Sequence, residues 1–153
     1  RKNYHEDALK TLNKMLNSED EAMKISGTYA VGEVEAKNFK EKIDSYLTEK
    51  TSKEVKRISV ITQFKLGDFS HLNWLVDQIL SDDKEHAVNI CYLIMKIKRE
   101  VINTLIIPEI IARGKKEKSL ARRRFALSGE DCHEQILLLE EKTKMSSSFY
   151  EDL

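Results

Sequence analysis

The chain has 153 residues, of which 41% are hydrophobic and 34% are charged. Its 26 basic and 26 acidic side chains cancel, so overall charge singles out neither nucleic acid nor a membrane surface as a partner. Five glycines and one proline are too few for a strand-and-turn architecture and favour helices. A chain of this length is expected to form one domain, with residues 145–153 as a flexible tail.

Apolar residues recur along the chain with a step of 32 residues. Within each step the apolar spacing is three or four residues, which is typical of amphipathic helices, and a fixed period of this size indicates stacked repeats. The pattern predicts four helical hairpins, over residues 5–36, 37–68, 69–100 and 101–132, and a capping half-unit over 133–144. Two series of equivalent positions are Tyr29, Ile61, Leu93 and Phe125, and Met15, Leu47, Ile79 and Ile111.

The first hairpin is predicted to begin with an amphipathic helix over residues 5–16. Ser18 or Asp20 is the expected N-cap of its second helix, because a short polar side chain accepts hydrogen bonds from free backbone N–H groups. The inner face of that second helix is expected to carry Met23, Ser26, Tyr29, Ala30 and Val34.

The next two hairpins show clear start and stop signals. Ser52 is the expected N-cap of a helix over residues 55–66, and Gly67 is expected to end it, because glycine readily adopts the left-handed conformation. In the third hairpin, Trp74 is interpreted as a core residue. The alternative, an exposed anchor for a partner, stays open for this side chain.

The fourth hairpin contains the only proline, Pro108. Proline is tolerated in the first turn of a helix but not in its interior, so a break or kink is predicted near residues 103–107. Gly114 is expected to end that helix. The inner face of the following helix is expected to carry Leu120, Phe125, Ala126 and Leu127.

The two-helix unit carries a loose motif in three places, and in this it resembles the HEAT-like repeat family in its short, phycobilisome-lyase-type form. The resemblance covers nearly the whole chain and implies a right-handed α-α superhelix, or solenoid, whose second helices line a concave binding surface. Candidate residues on that surface are Lys24, Lys56, Arg57 and Lys65. The matching segments are Val55-Lys56-Arg57-Ile58 with Leu66-Gly67-Asp68, Met23-Lys24 with Ala30-Val31-Gly32-Glu33, and Ile107-Pro108-Glu109-Ile110-Ile111.

Charge is unevenly distributed along this neutral chain. Residues 96–124 hold ten basic and three acidic side chains, a net charge of +7, and residues 129–153 hold two basic and seven acidic ones, a net charge of −5. The basic segment predicts a partner that is an acidic protein segment or the phosphates of a nucleic acid. The alternative is that these side chains are solvated or neutralised by the acidic last helix. The candidate contact residues are Lys96, Arg113, Lys115, Lys116, Lys118, Arg122, Arg123 and Arg124.

Exposed aromatic side chains are not expected beside these residues, so base stacking is not indicated. His5-Glu6 and His133-Glu134 resemble the iron-binding pairs of the HEAT-repeat hydroxylase that modifies hypusine, but that family needs four pairs and this chain has two. No glycine-rich phosphate loop, nucleophile elbow or zinc-binding His-Glu-x-x-His motif is present. No metal, cofactor or catalytic residue is therefore predicted.

The sequence thus predicts a non-catalytic module, a scaffold, adaptor or inhibitor, that binds a protein partner. Nucleic-acid binding through the basic fourth hairpin is the first alternative, and a chromophore lyase-like or metal-dependent enzyme on the same scaffold is the second. Cys91 and Cys132, lacking close metal-type spacing, favour a reducing, cytoplasmic setting. No membrane association is predicted, and the oligomeric state is left open.

Overall fold

The computed structural model describes the backbone of residues 2–140 and the side chains of residues 5–140. All regular structure in this range is helical, which confirms the predicted all-α class. The chain divides into two compact units, Arg1–Phe69 and Ser70–Leu153, within one residue of the predicted boundary between the second and third hairpins. The superhelical arrangement and the single domain stay predictions, and the predicted tail, residues 145–153, lies outside the described residues.

The first unit contains four helices, and α2 packs against both α1 and α4. The hydroxyl group of Tyr46 donates a hydrogen bond to the carbonyl oxygen of Leu16 and so ties the end of α1 to the segment after α3. The helices are α1 (Lys2–Leu16), α2 (Glu21–Glu33), α3 (Lys40–Asp44), which follows a 3-10 turn over Lys37–Phe39, and α4 (Lys53–Lys65). Their buried core comprises Leu12, Leu16, Val31, Phe39, Ile43 and Leu66.

The predicted start and stop signals of the first unit are confirmed. The Asp20 carboxylate accepts a hydrogen bond from the Ala22 N–H at 3.0 Å, which makes Asp20 the N-cap of α2. The Ser52 hydroxyl accepts from the Val55 N–H at 3.3 Å and caps α4. Gly67 follows α4 with a φ of 89°, the left-handed conformation in which a side chain is disfavoured.

The predicted inner face of α2 is wrong. Met23 is 43% exposed and Val34 is 65% exposed, and the buried residues are instead Gly27, Thr28, Val31 and Gly32. A Cβ atom built on Gly27 would lie 2.8 Å from the Cβ of Met15, so the absence of a side chain lets α1 and α2 approach closely. The helix therefore buries its two glycines, Thr28 and Val31 between its neighbours, whereas Met23 and Val34 face outward.

Up to residue 140, the second unit contains five helices and a final helical stretch. Its core includes Leu75, Val76 and Ile79 of α5, whereas Trp74, predicted as a core residue, is half-buried. The helices are α5 (Leu72–Ile79), α6 (Lys84–Ile94), α7 (Arg99–Val101), α8 (Ile107–Arg113) and α9 (Lys115–Ser128), and residues 133–140 are helical up to the last described residue.

The predicted break before Pro108 is confirmed as a π-helical segment, Ile102–Ile106, between α7 and α8. The Ile107 N–H donates to the carbonyl oxygen of Ile102, five residues back, and Pro108 lies in the first turn of α8. A π-turn adds one residue to the helical register and so accommodates a proline that has no N–H to donate. The segment also turns Asn103 towards the last helix, where its amide oxygen accepts from Gln135 Nε2 at 3.1 Å.

Candidate partner-binding surface

The helix α9 carries the largest group of basic side chains that the sequence singled out. Lys115, Lys116 and Arg123 are exposed, and Lys118 is half-buried. Within residues 5–140, no carboxylate forms an ion pair with Lys115, Lys116 or Lys118. The first turn of α9 thus holds three lysines and one acidic residue, Glu117, and the positive end of the helix dipole adds to the excess of positive charge there.

Arg124 does not belong to this surface, and its predicted exposure is wrong. The residue is 7% exposed, and its guanidinium donates to the carbonyl oxygens of Ile79 at 2.7 Å and Ser81 at 2.5 Å. These carbonyl groups lie at the end of α5, where a helix leaves backbone acceptors without intrahelical donors. Arg124 therefore joins α9 to α5 and is a structural residue.

Two further arginines of the predicted set are neutralised within the second unit. Arg113 pairs with Asp77 at 2.7 Å and with Glu109 at 3.3 Å, and its hydrogen bond to Asp77, then that to Glu109, raises the pKa of the guanidinium. Arg122 pairs with Glu140 of the last helix at 3.2 Å. For Arg122 this is the neutralisation by the acidic last helix that the sequence left open, whereas Arg113 is neutralised by α5 and by its own helix, α8.

Lys96 lies beside an exposed aromatic ring, which contradicts the expectation that the basic segment lacks one. Tyr92 is 51% exposed, and the Lys96 Nζ atom lies 4.8 Å from the centre of its ring. A hollow of about 50 Å³ next to this pair is lined by residues at the end of α6 and by Ser128, Gly129 and Asp131 after α9. Spacing alone did not reveal this juxtaposition, because it depends on which ends of α6 and α9 meet.

The inner face predicted for α9 also needs correction. Leu127 is 58% exposed and Ala126 is exposed as well, whereas Phe125 is buried as expected. Since α9 buries Ala121, Arg124 and Phe125 on one side, Leu127 points away from the core. An exposed leucine thus lies on the same helix as the unpaired lysines.

The four candidates for a concave face all lie in the first unit, whereas the α9 lysines lie in the second. Lys65 is not an open cation, because its side chain is 6% exposed, pairs with Glu33 at 2.8 Å and lies 4.4 Å from the centre of the Tyr29 ring. The Lys24 Nζ atom lies 5.1 Å from the centre of the Tyr46 ring. The other two candidates, Lys56 and Arg57, are half-buried.

The first unit also has an apolar hollow of about 1,090 Å³ between α1 and α2, which sequence reasoning missed. Three of its lining residues are alanines, Ala8, Ala30 and Ala36, and these small side chains are the sequence signal that could have indicated it. Its apolar lining includes Ala8, Leu9, Leu12, Met15, Ala30, Val34 and Ala36.

Histidines, cysteines and acidic residues are dispersed in the part of the chain that the structure describes. Among residues 5–140, no three His, Cys, Asp or Glu side chains are grouped so that they could hold a metal ion. Cys91 and Cys132 are both buried with free thiols, and burial raises the pKa of the Cys91 thiol far above its ordinary value. His5 and His133 are exposed and lie in different units.

None of the helices described between residues 2 and 140 combines the length and apolar composition needed to cross a membrane. Comparison of the chain with protein-family models, with curated proteins and with solved structures gave no match in any of the three.

Proposed function

We propose that the chain is a non-catalytic protein-interaction module of HEAT-like repeats, acting in the cytoplasm as a scaffold, adaptor or inhibitor. Its contact surface is the α9 basic surface, defined as Lys115, Lys116, Lys118 and Arg123. The observation that carries the proposal is the division among the basic side chains. Arg113, Arg122 and Arg124 are satisfied within the fold, whereas the three lysines have no carboxylate partner among the described residues.

An acidic polypeptide fits this surface better than a nucleic-acid duplex. Duplex binding is dominated by phosphate contacts and gains from charge alone, whereas an exposed leucine or tyrosine beside the charges gains from burial against apolar groups. Leu127 lies on the same helix as the lysines, and Tyr92 lies beside Lys96. Nucleic-acid binding remains the second candidate, supported by the lysines themselves.

The test compares two probes against the full chain by fluorescence anisotropy. One probe is labelled poly-glutamate, and the other is a labelled DNA duplex of random sequence. The variant carries Lys115→Glu, Lys116→Glu and Lys118→Glu. The matched control carries Lys10→Glu, Lys14→Glu and Lys50→Glu, which changes the net charge equally at exposed positions of the first unit.

We expect poly-glutamate to bind the wild type and the control alike, and the α9 variant to bind it at least about ten-fold more weakly. Tighter binding of the duplex than of poly-glutamate, with a steep loss on raising the salt concentration, would replace the proposal by the nucleic-acid alternative. If poly-glutamate binds the control as weakly as the α9 variant, the surface is assigned to the wrong helix.

A further inference from the structure

The α9 basic surface continues into an apolar region within the second unit. Tyr92 is 51% exposed and Leu127 is 58% exposed. The hollow of about 50 Å³ is lined by Tyr92 and Lys96 at the end of α6 and by Ser128, the neighbour of Leu127, at the end of α9. The ends of these two packed helices therefore bring Tyr92 and Lys96 beside Ser128, and Leu127 is the residue before Ser128 in the chain.

Charge and apolar groups lie on one face of α9. At 3.6 residues per turn, Lys116, Arg123 and Leu127 fall within about 20° of one line along the helix. All three are exposed, and the residues buried on the other side are Ala121, Arg124 and Phe125. With a rise of about 1.5 Å per residue, Lys116 and Leu127 are separated by roughly 16 Å, or three helical turns.

We infer that the partner of this face is an acidic peptide segment that carries an aromatic or aliphatic anchor about three helical turns from its carboxylates. The inference rests on the proposed function and adds the chemistry of the partner to it. The carboxylates pair with Lys116, on the line of Leu127, and with the neighbouring Lys115, and the anchor packs on Tyr92 and Leu127. Lys118 lies on the opposite side of α9 from Leu127 and takes no part. Such a pattern combines charge complementarity with a desolvated apolar contact, which together give orientation and affinity.

Acidic residues at the apolar end determine which end of the segment lies where. Asp131 lines the hollow beside Tyr92, and Glu130 is exposed next to it. Carboxylates of a partner placed there would be repelled, and the same carboxylates beside Lys115 and Lys116 would be attracted. The acidic end of the partner therefore lies at the start of α9, and its anchor lies at the end of α9.

The experiment uses two labelled helical peptides of identical composition with the full chain. In the first, a block of glutamates is followed three turns later by a Phe-Leu pair. In the second, the Phe-Leu pair lies in the middle of the glutamates. Poly-glutamate of equal charge is the third probe. The spaced peptide is made in both sequence orders. The charges place its acidic end at the start of α9, but they do not fix whether that end is N-terminal or C-terminal.

The variants are Tyr92→Ala and Leu127→Ser, both at exposed positions. Tyr29→Ala is the matched control, because it removes a tyrosine that is 36% exposed and also lies beneath a lysine, but in the first unit. We expect Tyr92→Ala and Leu127→Ser each to weaken binding of the spaced peptide about ten-fold and to change poly-glutamate binding by less than about two-fold. Tyr29→Ala is expected to change neither.

Equal affinity of both peptides and of poly-glutamate, unaffected by Tyr92→Ala and Leu127→Ser, would overturn the inference and leave the proposed function in place. If neither the peptides nor poly-glutamate bind the wild type, both the inference and the proposed function are overturned. Circular dichroism of each variant establishes that it is folded before its affinity is compared. Tighter binding of a DNA duplex than of the spaced peptide would also refute the inference.

Discussion

Arg122, Arg123 and Arg124 are consecutive, yet the structure gives them three different environments. Arg122 pairs with Glu140, Arg123 is exposed, and Arg124 is buried against the end of α5. Successive residues of a helix point about 100° apart, so a run of identical residues always samples several sides of it. Counting charges along the sequence cannot distinguish them. Arg124 lies about 60° from the buried Ala121 on the helical wheel, and this closeness to a core position is the signal that indicates its burial.

We expect Arg124→Ala to lower the free energy of unfolding by about 2 to 4 kcal/mol, because it leaves the buried carbonyl groups of Ile79 and Ser81 without their charged donor. Urea denaturation followed by circular dichroism measures the change. Arg123→Ala is the control, and it should alter stability by no more than about 0.5 kcal/mol. Equal effects of the two substitutions would show that Arg124 does not hold α5 and α9 together.

The helix α2 shows which element-level features sequence periodicity can predict and which it misses. Its existence and its Asp20 cap were predictable, because both depend on local residue type. The orientation of α2 was not predictable from its apolar spacing, because that spacing takes no account of glycines. Gly27 and Gly32 define the buried face, since only there can α1 and α4 approach the α2 backbone. The hydrophobic pattern of one helix does not show where another helix must approach it closely.

Gly27→Ala is expected to destabilise the chain by about 1 to 3 kcal/mol, although alanine favours helices over glycine. The new methyl group would lie 2.8 Å from the Cβ of Met15, which cannot rotate away because Cβ is fixed to the backbone. Ser26→Ala, one residue earlier on the exposed side of α2, should leave the midpoint of urea unfolding almost unchanged. A stabilised Gly27→Ala protein would contradict the close helix contact.

The π-helical segment before Pro108 connects to the last helix through one side chain. Asn103 donates to Glu134 Oε1 at 2.8 Å and accepts from Gln135, a side chain that is fully buried. Pro108 made a break at this position predictable, because its missing N–H and its ring are local properties. The partner of Asn103 was not predictable, since the extra residue of the π-turn shifts the register by an amount that spacing does not specify.

Asn103→Ala is expected to loosen the helical stretch that begins at residue 133, because it leaves the buried Gln135 amide without its acceptor. Hydrogen exchange of the amides in residues 133–140 should accelerate about ten-fold or more relative to the wild type. Thr104→Ala, which removes only a bond to the Glu100 carbonyl within the same helical segment, is the comparison. Identical exchange rates in both variants would mean that Asn103 does not hold this helix.

At the scale of the whole molecule, the sequence predicted the helical class, which the structure confirms, and a division into hairpins, which stays a prediction. The 32-residue step placed a boundary within one residue of the division between the two units. Equivalent positions of the 32-residue period differ in burial, because Ile61 and Phe125 are buried whereas Tyr29 is 36% exposed. The candidate surface was found in outline from charge density. Its division into paired and unpaired cations depends on carboxylates distant in sequence, such as Asp77 for Arg113.

A neutral chain with segregated charges is expected to attract copies of itself in dilute salt. The basic segment 96–124 and the acidic segment 129–153 can pair between molecules, and at the sequence pI of about 7.1 no net charge keeps the molecules apart. Static light scattering at neutral pH should show attraction at about 20 mM salt that weakens by about 300 mM. The Lys115→Glu, Lys116→Glu, Lys118→Glu protein should show weaker attraction at low salt. Attraction that grows with salt would instead indicate contact through apolar groups.

The half-buried Trp74 is the only tryptophan of the chain, and it lies in α5 of the second unit. Trp74 fluorescence, excited at wavelengths that tyrosine does not absorb, therefore reports only on the unfolding of the second unit. Tyr29 and Tyr46, which belong to the first unit, do not contribute to it. The molecule thus carries a natural optical probe of whether its halves melt as one cooperative body. Indole emission and far-ultraviolet ellipticity that change at different urea concentrations would show that they do not.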